Sequence, residues 1–144
     1  MVEWPSVSEE AARAWARIAE AESAAAYAHS AAGPRLSGAE RERSLNDLTE
    51  HRRQRDRAGA KQFAADGSTA ALPSAYRLPA PVRNVDDARD VLRGAESRLT
   101  AVYAEVISQL PAQDRDETIG VMLAHGARAV DWGADPGPWG PVLD

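Results

Sequence analysis

The sequence predicts an all-α protein: a bundle of four helices made of two antiparallel hairpins, with a long crossover between the second and third helices. Three observations predict it. Apolar residues recur at helical spacing in four stretches, capping signals stand where those stretches begin, and the longest run of helix breakers falls between the second and the third. At 144 residues the chain is of a length that buries one core, and one domain is expected.

Ser6-Val7-Ser8-Glu9 reads as a capping box, and an inner stripe follows through Ala12, Trp15, Ala19, Glu22, Ala26 and Ser30. Gly33-Pro34 stops it, giving a first helix over about 7–32. Ser37-Gly38-Ala39-Glu40 reads as a second capping box. It opens a helix over about 38–65 whose stripe is Leu45, Leu48, His51, Arg55, Gly59 and Phe63.

Residues 67–83 contain Gly67, Pro73, Pro79 and Pro81 and read as a linker. Asn84 caps the third helix, about 85–109, and its apolar face is Ala88, Val91, Leu92, Ala95, Leu99, Val102, Tyr103, Val106 and Leu110. Pro111 allows a new start, and Thr118, Val121, Met122, His125, Ala129 and Trp132 share one face of a fourth helix over about 112–132. The tail, 133–144, is rich in proline and glycine and is expected to be extended, with Trp139 packed on the bundle or on a partner. Trp4, Trp15 and Trp132 are expected at the bundle ends, and His29 at an exposed helix end.

Loop length decides the topology. Short turns make each hairpin antiparallel. The linker's 17 or so residues reach about 55 Å, more than the roughly 37 Å of a 25-residue helix, so it can cross the bundle.

Composition narrows the function. The chain has no cysteine, which removes disulfides, thiolate nucleophiles and cysteine-ligated metal centres. A formal net charge of -5 argues against nucleic acid as a partner, since phosphate binding needs a basic face. No stretch approaches the roughly 18 apolar residues of a membrane span, and no basic start leads into an apolar run. The cytoplasm is the expected compartment, with neither secretion nor membrane insertion. Alanine makes up roughly a fifth of the chain and favours closely packed helices.

The two halves carry related text. Ala21-Glu22-Ser23 precedes Tyr27, and Ala95-Glu96-Ser97 precedes Tyr103; His51 with Arg55 and Asp56 answers His125 with Arg128 and Asp131. On Glu22 and Tyr27, the run His51-Arg52-Arg53-Gln54-Arg55-Asp56, the linker Ala75-Tyr76-Arg77-Leu78-Pro79-Ala80-Pro81-Val82, and Glu96 and Tyr103, nearly the whole chain resembles an alanine-rich, mostly actinobacterial family of ferritin-like proteins classed as a domain of unknown function. The resemblance implies a ferritin-like bundle and no particular activity.

In ferritin-like di-iron proteins two helices each give a glutamate and two each give a Glu-x-x-His pair. Glu22, His51, Glu96 and His125 match four of those six ligands, but Leu48 and Met122 stand where the other two glutamates belong, and Asp47 is expected to face solvent. A standard dinuclear centre is therefore not expected. Two alternatives stay open: the four residues hold a single iron, manganese or zinc ion, or they form a metal-free polar core. In the second, Arg55 is directed between Glu22 and Glu96, with Tyr27 and Tyr103 closing the network.

Three roles follow. The chain is a bundle acting by association, as a homodimer or with another protein; or a metal-dependent redox or oxygen-handling protein; or a bundle with a small-ligand pocket between its helices, lined by the same residues.

Overall fold

A computed structural model describes residues 3–4 and 6–137. Its helices are α1 (Val7–Ala32), α2 (Gly38–Asp66), α3 (Val85–Val106) and α4 (Ala112–Asp131), and the described residues contain no strand. Each hairpin turns through a short 3-10 segment, Gly33–Arg35 in the first and Ile107–Gln109 in the second. These segments lie 74 residues apart (107 minus 33), and that offset runs through both hairpins.

The helix starts follow from local chemistry. The Ser6 hydroxyl accepts from the Glu9 amide while the Glu9 carboxylate accepts from the Ser6 amide, so two otherwise unsatisfied N–H groups are paired. The Asn84 side chain accepts from the Asp87 amide at 2.8 Å. Ser37 makes no such bond; Glu40 pairs instead with Arg89 of α3, which corrects the second capping box. At the end of α2, Gly67 takes a left-handed conformation (φ 76°) that lets its amide close on the Phe63 carbonyl.

Side-chain pairs set the directions. Glu22 meets His51 and His29 meets Ser44, so α1 and α2 are antiparallel. Glu22 meets Tyr103 and His29 meets Glu96, so α1 and α3 are antiparallel too. Asp47 meets Trp132 and Lys61 meets Asp114, and the same holds for α2 and α4. The order is up, down, down, up. Between α2 and α3 the chain traverses the length of the bundle, with Tyr76 against Tyr27 midway and Leu78 and Val82 packed near its end.

The core has two apolar parts. One gathers Trp15, Ile18, Leu99, Val106 and Leu110; the other gathers Leu36, Val91, Leu92 and Trp132. Glu22, Glu96, His51 and His125 come from the middle of the four helices, so a polar layer separates the two.

On α2 the buried stripe is Ser44, Asp47, His51, Gln54, Ala58 and Gln62, not the expected one. Leu45 and Phe63 are 54% and 61% exposed. The helix turns its polar and small residues inward because they bond across the centre and let the alanine-rich α1 approach closely. Trp15 and Trp132 are buried, whereas Trp4, ahead of α1, is 87% exposed. Trp139 lies outside the described residues. Among those residues no helix is long and apolar enough to cross a membrane.

Candidate functional site

Glu22, His51, Glu96 and His125, one from each helix, converge in the middle of the bundle, and each is fully buried. The two groups that complete the centre are Tyr103 and His29. His51 donates from both ring nitrogens, Nδ1 to Glu22 Oε2 at 2.8 Å and Nε2 to Glu96 Oε1 at 2.5 Å. It is an imidazolium bridging two carboxylates. Glu22 Oε1 accepts from the Tyr103 hydroxyl at 2.5 Å and from His125 Nε2 at 2.6 Å. Glu96 Oε1 also accepts from His29 Nε2 at 2.9 Å, while the Ser44 hydroxyl donates to His29 Nδ1 at 2.8 Å.

The outer partners fix the tautomers. Arg128 Nη1 stands 3.0 Å from His125 Nδ1, and a guanidinium only donates, so Nδ1 accepts and the proton of His125 sits on Nε2. Arg128 Nε is 3.3 Å from Asp47 Oδ1, and Trp132 Nε1 donates to Asp47 Oδ2 at 3.0 Å. The rings form a row: centroids are 5.3 Å apart between His29 and His51, 4.9 Å between His51 and His125, and 5.3 Å between His125 and Tyr103.

The electrostatics follow this geometry. Burial alone raises the Glu22 carboxyl, but hydrogen bonds from His125 and His51 outweigh it and hold the group below the usual carboxylate range. Glu96 is desolvated in the same way, and His29 and His51 bring it down to about 2. Burial disfavours charge on His51, yet its bonds to Glu22 and Glu96 raise it to about 9. Burial first, and then the adjacent Glu22 charge, push the Tyr103 hydroxyl up and keep it a donor. One group is left over: Glu96 Oε2 is buried with no hydrogen-bond partner, and His125 Nδ1, 3.9 Å away, is itself an acceptor.

Several expected positions are corrected. Arg55 is not between the carboxylates; it pairs with its neighbour Asp56 at 3.0 Å, with about a third of its side chain exposed. His51 takes the role assigned to it, because an imidazole with a donor on each side fits between two close carboxylates. Tyr27 turns away from the centre onto Tyr76 of the linker, with ring centroids 5.9 Å apart. Five residues past Glu22 is more than a third of a turn off its face. Asp47 is buried rather than solvent-facing, and His29 is 2% exposed rather than free at a helix end.

The 74-residue offset carries the signal for His29. It pairs Glu22 with Glu96, Ser44 with Thr118 and His51 with His125, and it pairs Tyr103 with His29, not with Tyr27. All eight side chains are buried. Both residues of the last pair stand seven positions after their glutamate, nearly two full turns, and each donates to the glutamate of the other hairpin.

Two expected outcomes arise here. Tyr103→Phe leaves a Glu22 lone pair short of a donor and should lower stability by about 1–3 kcal/mol, whereas Tyr27→Phe should stay within about 0.5 kcal/mol. Urea melts of both variants check the contrast. A Cβ at Gly33 would stand 2.8 Å from Ser44 Oγ. Gly33→Ala should therefore displace the Ser44 hydroxyl from His29 at a cost of about 1–2 kcal/mol. The double variant with Ser44→Ala, which removes that oxygen, should lose little beyond Ser44→Ala alone.

Two overlapping triads have ligand atoms mutually within 4.8 Å: Glu22, His51 and His125, and His29, His51 and Glu96. Both use His51. A dinuclear site does not fit these residues: Leu48 and Met122, three residues before His51 and His125, are apolar, and Asp47 is engaged by Trp132 and Arg128. The small-ligand pocket expected among these residues is not seen there: the grooves of about 370 and 600 Å³ on the bundle are lined by other residues.

A family model described as a domain of unknown function, DUF4439, matches residues 9–141. A crystal structure of a conserved hypothetical protein from Mycobacterium tuberculosis is similar in fold, with a TM-score of 0.80 and 21% identity over 96% of this chain and 98% of that one. No curated protein matches the sequence.

Proposed function

We propose the following reading for a chain that belongs to the DUF4439 family: it is a ferritin-like bundle whose buried centre carries its own cation between two carboxylates and holds the four helices in register, while the protein acts by association with a second copy or another protein. One observation carries it. His51 bridges Glu22 and Glu96 through both ring nitrogens, so the cation needed between the carboxylates is supplied by the chain itself. The up-down-down-up order with a bundle-length crossover supports the ferritin-like comparison. Association is supported by α4, where Ile119 and Leu123, one helical turn apart, are 38% and 65% exposed.

The metal reading has its own support. Glu22, His51 and His125 offer one carboxylate and two imidazoles, a donor set that suits a single zinc, manganese or ferrous ion, and Glu96 Oε2 is a buried oxygen with no partner. Such an ion would supply Lewis-acid or redox chemistry. His51 would give up a proton, while Tyr103 and His29 would keep donating to the carboxylates and orient them.

Elemental analysis separates the two. Untagged protein purified without chelator, and then incubated separately with ferrous iron, manganese and zinc, is expected to retain well under one metal per chain and to melt at the same temperature with or without EDTA. About one metal per chain, absent from His51→Ala, would replace the first reading with the second.

A further inference from the structure

A groove of about 370 Å³ runs between α1 and α3, within the range of small-molecule sites. Its floor is Ala21, Ala24, Ala25 and Ala95, with Leu99 and Val102 beside them. Four methyl side chains in a row leave the concavity open where larger residues would fill it. Two arginines and a glutamate stand at the edge, and Tyr76 of the linker forms a wall.

The polar groups of the groove are unevenly satisfied. Arg17 is paired with Glu105 at 2.5 Å. Arg98 has no carboxylate within ion-pair distance among the described residues. Its guanidinium folds back along α3 over Gly94, where a Cβ would stand 3.0 Å from Nη1, so the missing side chain at that position makes room for it. Tyr76 is held against Tyr27, and its hydroxyl is covered yet has no hydrogen-bond partner. A cation with no carboxylate partner among the described residues thus flanks an apolar floor.

We propose that this groove binds a small organic monocarboxylate with an apolar body. The carboxylate pairs with the Arg98 guanidinium, whose planar fork matches it; the body lies on the alanine floor beside the Tyr76 ring. Glu20 at the edge disfavours a second negative charge, which selects monoanions over dicarboxylates. The site uses none of the six residues of the buried centre, so it stands or falls independently of the reading above.

Calorimetric titration of the full chain with octanoate tests it. Saturable one-to-one binding is expected, weakened about tenfold or more in Arg98→Gln. Ala24→Leu, which fills the floor, should abolish it. Circular dichroism melts establish that each variant is folded; Arg98 is exposed, so its variant tests charge rather than folding. Octylamine, with the same tail and the opposite charge, is expected to bind at least about tenfold more weakly. Absence of saturable binding up to about 10 mM octanoate, equal affinity for octylamine, or unchanged affinity in Arg98→Gln would each overturn the proposal.

Discussion

Replacing His51 by leucine is expected to destabilise the protein by about 3–5 kcal/mol, the largest effect of any single substitution in the centre. The reason lies in what remains. Glu22 and Glu96 would stay fully buried after losing the cation between them, and a buried carboxylate without a partner costs far more than the lost bond. Neighbouring donors only partly compensate: Glu22 would keep Tyr103 and His125, but Glu96 would keep His29 alone. Adding Glu96→Gln to His51→Leu should recover part of the loss, because the more poorly paired charge is then gone. Arg55→Leu, by contrast, should change stability by no more than about 0.5 kcal/mol, since its partner is a surface aspartate. Denaturant melts of the four proteins decide it. A loss below about 1 kcal/mol for His51→Leu would mean that the bridge does not hold the centre together.

That contrast also locates the limit of what the sequence discloses. The fold class was legible because it rests on redundant signals: eight apolar positions on α3, the longest run of breakers in one stretch, and caps at Ser6 and Asn84 whose chemistry is local. That Glu22, His51, Glu96 and His125 converge was legible because symmetry between the hairpins points to them. Arg55 was misplaced because α2 buries a polar stripe. When the inward residues are serine, aspartate, histidine and glutamine, hydrophobic periodicity tracks Leu45 and Phe63, which are exposed, and the inferred face rotates by one position. His29 was missed for a different reason. Reading the repeat by residue type aligned tyrosine with tyrosine, whereas the fold aligns position with position and accepts a histidine where the other half has a tyrosine. Both are ring donors of similar reach, and that function is what the symmetry preserves.

The pH dependence of stability should follow from the same bridge, measured on metal-free protein. His51 has its folded-state value raised from 6.5 to about 9 by Glu22 and Glu96, against burial. A raised group contributes stability that is complete below its unfolded value and is lost as pH climbs through the folded one, so the alkaline loss should begin above about 6.5 and be largely complete past 9. Glu96 is depressed from 4.5 to about 2, with burial opposing and His29 and His51 prevailing. A depressed carboxylate contributes above its unfolded value and is lost as pH falls through the folded one, so the acid loss should run from about 4.5 down towards 2. Stability is therefore expected to be highest between about pH 4.5 and 6.5, with each limb worth on the order of 3 kcal/mol. The variants assign the limbs. His51→Leu should flatten the curve between pH 7 and 9, because no imidazolium is left to lose its proton. Glu96→Gln should shorten the acid limb and also weaken the alkaline one, since His51 then has a single carboxylate to hold its charge. An alkaline limb that persisted unchanged in His51→Leu would place the titrating group elsewhere in the chain and remove the imidazolium bridge from the account of the centre.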